Sequence, residues 1–160
     1  MIQRTLVLLK PDAVQRGLMG EILTRLERAG LKVVGCKMVW VDKSFSRKHY
    51  AEHVEKKFYP GLEALITAGP VLAMVIEGVE AIETVRKMVG ATEPKSALPG
   101  TIRGDFAHVS YGYADTQGIG IKNLIHASAN KDDAAKEVAL WFAPAELHSY
   151  KTVHDVHILG

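Results

Sequence analysis

The chain has 160 residues, 48% of them hydrophobic and 24% charged, a length and balance that suit one globular domain with a buried core and leave no room for a second full one. A formal net charge of +2 gives no global argument for a nucleic-acid or membrane surface, so any anion binding must rest on where individual Arg and Lys side chains fall. The single Cys36 excludes an intrachain disulfide framework, and the apolar run within Met1 to Lys10 is too short for a signal peptide or membrane span; a soluble, cytoplasmic protein is expected.

Thr5 to Leu9 is a short apolar run of buried-strand type, ended by Lys10-Pro11-Asp12 because proline breaks the ladder. Lys10 then projects from a strand end, either as a solvated cation or as a group that meets phosphate. From Gly20, the residues Ile22, Leu23, Leu26 and Ala29 recur at helical spacing until Gly30 stops them. Leu31 to Val41 reads as a long strand. Ser46 is expected to cap a helix running to about Lys57, on which His49 and His53 lie four apart. That spacing suits a metal clamp, but no third ligand or His-Glu-x-x-His pattern accompanies it, and surface histidines are the expectation. Phe58-Tyr59-Pro60-Gly61 forms an aromatic turn; Phe58 either stacks on a nucleobase or packs into the core.

Leu62 to Thr67 is a short helical piece, and Gly69-Pro70 opens the central strand Val71 to Ile76. A helix from Val79 to Val89 buries Ile82, Val85 and Val89, sets Arg86 on its flank and closes at Gly90. Thr92 to Phe106 reads as a loop stiffened by Pro94 and Pro99 and bent by Gly100 and Gly104. Arg103 in that loop, near Arg86, is either half of a phosphate clamp or the partner of a carboxylate. His108 to Lys122 reads as an extended excursion; its Gly118-Ile119-Gly120 lacks the third glycine of a dinucleotide fingerprint, and no Gly-x-x-x-x-Gly-Lys-[Ser/Thr] loop occurs anywhere.

Asn123-Leu124-Ile125-His126-Ala127-Ser128 delivers one histidine at the end of a buried strand, with little side-chain bulk beside it at Ala127. A neutral imidazole, with an ordinary pKa of about 6.5, is nucleophilic at one nitrogen when a hydrogen bond on the other fixes its tautomer. Glu137 is the candidate orienting carboxylate. It lies on a helix that begins near Asn130 with Asp132 and Asp133 in its first turn and that buries Ala134, Ala135, Val138 and Ala139. The alternative is a strand-end histidine satisfied by a backbone carbonyl. The tail from Pro144, with His148, His154 and His157, is expected to dock on its own domain or on a neighbouring subunit.

The element order predicts a ferredoxin-like βαββαβ α/β (α+β) sandwich, a four-stranded antiparallel sheet with helices on one face, in a single domain over 1–160. Several blocks, from Thr5-Leu6-Val7-Leu8-Leu9-Lys10-Pro11-Asp12 through Gly69-Pro70-Val71 and Gly100-Thr101-Ile102-Arg103-Gly104-Asp105-Phe106 to Asn123-Leu124-Ile125-His126 and Leu140-Trp141-Phe142, resemble the signature of the nucleoside diphosphate kinase family. The resemblance implies that His126 accepts the γ-phosphoryl group of a nucleoside triphosphate such as ATP and passes it to a nucleoside diphosphate, in ping-pong order. It further implies that Lys10 and Asn123 meet the sugar hydroxyls, with Lys10 also near the transferring phosphate. By the same resemblance Tyr50 would sit beside the histidine, Phe58 would stack on the base, and Arg86, Thr92 and Arg103 would hold phosphates. Glu137 would orient the ring with Ser128 near it, and Mg2+ would be held mainly by phosphates and water, with no protein metal site. A homo-oligomer is implied, a hexamer ahead of a tetramer, with no nucleic acid or membrane required.

Two stretches depart from the family pattern. Ala127-Ser128-Ala129-Asn130 stands where Gly-Ser-Asp-Ser is usual, which removes a carboxylate; and Tyr111 to Ile121 is longer than in most members, which from similarity to longer-looped members implies a role in assembly. Beside the kinase stand two other readings: a non-catalytic nucleotide-binding or phosphohistidine-signalling protein, and a metal-binding protein using the seven histidines.

Overall fold

Leu6 to Leu9 are all completely buried, so the first strand has no solvent side from that point on. In the computed structural model, which describes residues Met1–Gly160, this strand is β1 (Ile2–Leu9) and lies inside a four-stranded sheet. The others are β2 (Lys32–Trp40), β3 (Pro70–Val79) and β4 (Ile125–Ala127), in the order β2-β3-β1-β4 with every pairing antiparallel. That order is the expected ferredoxin-like arrangement.

Nine helices connect and cover the strands: α1 (Pro11–Gln15), α2 (Met19–Arg28), α3 (Lys43–His49), α4 (Tyr59–Ile66), α5 (Ala81–Val89), α6 (Ile102–Phe106), α7 (Tyr111–Gln117), α8 (Lys131–Trp141) and α9 (Val153–His157). They occupy both faces of the sheet, not one. On the first face Ile22 and Leu26 of α2 and Val85 and Val89 of α5 meet Val7, Leu9, Met74 and Ile76. On the second, Tyr59 and Ile66 of α4, Tyr50 after α3, and Trp141 of α8 meet Leu6, Leu8, Ala73 and Val75. The cause is visible in the strands: Leu6–Leu9 and Val71–Ile76 run apolar without alternation, and a strand of that kind needs cover on both sides.

Several boundaries differ from expectation. Asp42, not Ser46, caps α3 by accepting from the Phe45 N–H at 2.7 Å, because Ser46 is buried with its hydroxyl 3.0 Å from that of Tyr59. The helix ends at His49 and turns follow to Phe58. The Thr92–Phe106 loop contains a 3₁₀ turn (Pro94–Ser96) and α6, capped by Thr101. The expected extended excursion contains α7, which Ser110 caps and Gly118 ends at φ +63°. Proline at the first position of α1 starts a helix there as well as ending β1.

The tail docks on β2 of its own chain: His148 N–H donates to Val34 O at 2.7 Å, Tyr150 Oη–H to Val33 O at 2.6 Å, and Asp155 pairs with Lys32 at 3.1 Å. No helix is long and apolar enough to cross a membrane.

Candidate active site

The pleat decides where the central histidine points. On β4, Ile125 and Ala127 belong to the core beneath α2 and α5, so His126 between them projects to the opposite face, paired across the sheet with Leu8. There it meets α8, whose N-terminus is set by Asn130: its side chain accepts the Asp133 N–H at 2.9 Å. Two turns in, Glu137 Oε2 lies 2.5 Å from His126 Nε2. A carboxylate only accepts, so Nε2 carries the proton and Nδ1 keeps its lone pair. The ring is 25% exposed, open enough for a ligand to reach it. Ser128 Oγ–H donates toward the same Glu137 oxygen at 3.4 Å and accepts the Leu6 N–H at 3.2 Å, tying the carboxylate to the sheet.

The backbone leading to His126 is held in a costly shape. Ile125 N–H donates back to Asn123 O at 2.8 Å, a γ-turn centred on Leu124, whose φ is +72°. Everything around the turn secures it. Asp12 Oδ2 accepts the Leu124 N–H at 2.9 Å, and Lys10 N–H donates to Leu124 O at 2.8 Å. Arg103 donates to Asn123 O at 3.1 Å, Ile125 O at 2.5 Å and Gly90 O at 3.2 Å. Arg103 therefore braces the histidine strand with two of its five N–H bonds and ties it to the end of α5 with a third, and two remain for an anion.

Lys10 donates through Nζ to Asn123 Oδ1, and Asn123 Nδ2 donates to Thr92 O at 2.8 Å, linking three of the expected residues in one chain. Burial pushes Lys10 down to about 8, partly opposed by Asp12, and Arg103 down to about 10, with Arg86 adding to that fall. Buried cations whose charge is penalised in the free protein gain from an arriving anion. Arg86 is exposed on α5 and without a carboxylate partner. Tyr50 is buried, and burial together with the charge of Glu137 raises its hydroxyl well above the ordinary range. Phe58 is 55% exposed with His53 5.6 Å away, so it is a rim ring and not part of the core. Thr92 is exposed beside Asn123. The segment after α7 returns against Gly61: a Cβ on Gly120 would stand 2.5 Å from Gly61 O, which puts this segment close to Phe58.

Two residues at the site were not expected there. Asp12 is one. The other is His49, which the spacing with His53 suggested as a surface group. Its ring lies 4.8 Å from that of His126, nearly perpendicular at 82°. Its Nδ1 accepts from Trp141 Nε1–H at 3.1 Å. The donor atoms of His49, His126 and Glu137 come within 4.8 Å of one another, close enough for a metal. Yet Trp141 claims the Nδ1 lone pair and leaves the proton on Nε2, while Glu137 is already paired, so the trio is not arranged as a zinc site.

An antiparallel βαββαβ sheet carrying a carboxylate-bound imidazole with a free nitrogen, faced by buried cations, defines an enzyme of phosphoryl transfer. The family model for nucleoside diphosphate kinase matches residues 3–147. The chain is 52% identical to the nucleoside diphosphate kinase of Pyrococcus furiosus over 154 residues, 96% of this chain and 91% of that one. With the Thermus thermophilus enzyme it shares 51% over 146 residues, 91% and 99% of the two chains. Among solved structures it superimposes on the Borrelia burgdorferi nucleoside-diphosphate kinase, a transition-state mimic with bound vanadate and ADP, with a TM-score of 0.94 and 46% identity over 98% of this chain and 96% of that one. The Halobacterium salinarum enzyme in complex with CDP gives a TM-score of 0.87 and 44% identity over 98% of each chain. The chain belongs to the nucleoside diphosphate kinase family, and its activity is phosphoryl transfer from a nucleoside triphosphate to a nucleoside diphosphate.

Proposed function

We propose that His126 Nδ1 is the nucleophile of a two-step transfer. Its lone pair attacks the γ-phosphorus of a nucleoside triphosphate such as ATP; the bond to the bridging oxygen breaks, and the electron pair leaves with the nucleoside diphosphate. A terminal oxygen of a second nucleoside diphosphate then attacks the phosphoramidate and returns the lone pair to Nδ1. One site serves donor and acceptor by turns, hence ping-pong kinetics. The observation that carries this reading is the 2.5 Å contact of Glu137 with Nε2, which fixes the tautomer that leaves Nδ1 reactive.

The remaining roles follow from position. Lys10, Arg86 and the two spare N–H bonds of Arg103 supply positive charge where a loose, metaphosphate-like transition state spreads its negative charge. Lys10 and Asn123, already bonded to each other, meet the sugar hydroxyls, and Thr92 beside them meets phosphate. Tyr50 packs on His49, the ring that meets the nucleophile, and Ser128 holds Glu137. Phe58 stacks on a base without reading its edge, so both purines and pyrimidines fit.

Mg2+ seeks oxygen ligands, and the only close donor set beside His126 is two imidazoles and one engaged carboxylate. The protein offers no oxygen cage for the ion, so phosphates and water would hold it, and it would supply charge neutralisation there. Ala129 stands where the family pattern has the aspartate and offers no carboxylate, and Asn130 after it caps α8.

The chain acts as a cytoplasmic homo-oligomer, with a hexamer ahead of a tetramer. Edge strand β2 supports self-association: Met38 and Trp40 are exposed at 52% and 69% beyond the stretch that the tail covers. Light scattering reads the assembly.

The decisive experiment incubates the protein with γ-labelled ATP. Acid-labile, base-stable label on the protein, released by GDP and absent in His126→Ala, is the expected result. Label that does not chase into GTP, or labelling that survives in His126→Ala, overturns the reading.

A further inference from the structure

Helix α8 addresses two imidazoles, not one. Glu137 and Trp141 are four residues apart, so they point from one side of the helix a turn apart. Glu137 takes the Nε2–H of His126, and Trp141 gives its Nε1–H to Nδ1 of His49, the last residue of α3. The two histidine rings then meet at 4.8 Å and 82°. Trp141 is itself pinned, edge to face, between His49 at 5.4 Å and Phe45 at 4.8 Å.

The chemistry of the Trp141 contact limits what His49 can be. An indole N–H has no acceptor capacity, so His49 must keep a lone pair at Nδ1 and carry its hydrogen on Nε2. A doubly protonated His49 would set N–H against N–H. Burial, with the nearby charges of His126, His53 and Lys10, pushes its pKa down to about 2, in the same direction. No protein group accepts the buried Nε2 hydrogen. Leaving a buried donor without a protein partner costs free energy.

The repayment is geometric. A single hydrogen bond at Nε2 leaves the His126 ring free to rotate about that contact, which sweeps Nδ1 away from an in-line approach. A second ring packed perpendicular to it removes that freedom, and it does so without placing a second charge or a second free nucleophile beside the first.

Resting on the reading of His126 as nucleophile, we propose that His49 is a positioning residue for phosphoryl transfer, an imidazole that Trp141 orients and that in turn holds the His126 ring in its attacking orientation.

The test compares His49→Ala, His49→Phe and Trp141→Phe with the unaltered enzyme. The readouts are the single-turnover rate of His126 labelling at saturating ATP, the nucleotide KM, and the melting temperature. Misplacement of a reacting atom by about 1 Å is worth roughly 100-fold. His49→Ala is expected to lower the labelling rate by about 10- to 100-fold with KM changed by less than about threefold. His49→Phe, which keeps a ring in place, recovers a large part of that rate, and Trp141→Phe gives an intermediate loss.

Rates that track only the fraction of folded protein, or a full rate in both His49 variants, overturn the proposal. So does a defect confined to KM. Should His49→Ala melt below the assay temperature, His49→Phe against Trp141→Phe still decides, since a purely structural role leaves the rate of the folded protein untouched in both. Labelling of His126→Ala is the separate result that sinks the nucleophile assignment.

Discussion

Asp12 Oδ2 accepts the main-chain N–H of Leu124 at 2.9 Å, joining two residues 112 positions apart, and Leu124 holds a φ of +72° two residues before His126. A left-handed, unbranched-backbone position of this kind costs a non-glycine residue about 1–2 kcal/mol, and it persists only where its surroundings insist on it. Asp12→Ala removes the partner of a buried N–H, worth about 1–3 kcal/mol. The expected result is a melting temperature lower by about 2–4 °C for each kcal/mol, together with slower labelling of His126. Asp12→Asn keeps an acceptor oxygen and should lie between. A calorimetric scan of Asp12→Ala that matches the unaltered protein contradicts this account of the turn.

On the proposed mechanism the Glu137 carboxylate does two things to His126: it selects the tautomer, and it stabilises the positive character that grows on the ring as the phosphoryl group bonds to Nδ1. Glu137→Gln retains an acceptor but loses the charge, whereas Glu137→Ala loses both. The expected order of kcat/KM is unaltered enzyme, then Gln, then Ala, with the alanine variant down by about 100-fold or more. Stopped-flow labelling of the three proteins checks it, and equal rates for Gln and Ala variants remove the tautomer argument.

How far the site could be read from residues alone is shown by contrasting Glu137 with His49. The Glu137 helix declares itself through Asn130, Asp132 and Asp133 and a run of alanines, so its pairing with the strand histidine follows from short-range pattern. His49 gives no such signal. Its spacing with His53 suggests a surface pair, and only the folding of α3 onto the second face of the sheet brings it to His126. The second face itself differs from expectation: the antiparallel order of strands is legible from element order, whereas helical cover on both sides is signalled only by the absence of polar alternation in Leu6–Leu9 and Val71–Ile76. Arg103 shows the same limit. Its type fits a phosphate clamp, but two of its N–H bonds serve carbonyls of the γ-turn and a third serves Gly90 at the end of α5, positions that only the fold brings together.

Lys10 makes activity and stability respond to pH in opposite directions. Burial lowers its folded-state pKa to about 8 from an ordinary 10.5, so the folded protein gives up this proton first as pH rises. Between these values the unfolded chain binds more protons, and linkage makes the Lys10 contribution to stability increase with pH. Below about pH 8 the burial penalty is present in full. The charge that phosphate needs is lost over the same interval, so kcat/KM for the nucleotide is expected to fall as pH passes about 8. Lys10→Gln should lack that alkaline limb, and its stability advantage over the unaltered protein should shrink from pH 8 upward. A kcat/KM profile whose alkaline limb survives in Lys10→Gln assigns it to another group.

Gly90 ends α5 at φ +87°, ψ −176°, a conformation that is essentially glycine's alone. A Cβ there would stand 2.5 Å from Thr101 Oγ1, the atom that caps α6 by accepting the Gly104 N–H at 3.0 Å, and Gly90 O is one of the three carbonyls that hold Arg103. Gly90→Ala thus strains the backbone and displaces the cap and the arginine together. A loss of about 2–4 kcal/mol is expected, with nucleotide KM raised because Thr92 and Arg103 flank the same loop. Gly112→Ala is the matched control: it lies inside α7 at negative φ with no atom closer than 3.9 Å to the added methyl, and helix propensity favours alanine there by about 0.5–1 kcal/mol. Urea unfolding of the two variants should move in opposite directions; a shift of the same sign and size in both would mean that the Gly90 conformation is not what the loop depends on.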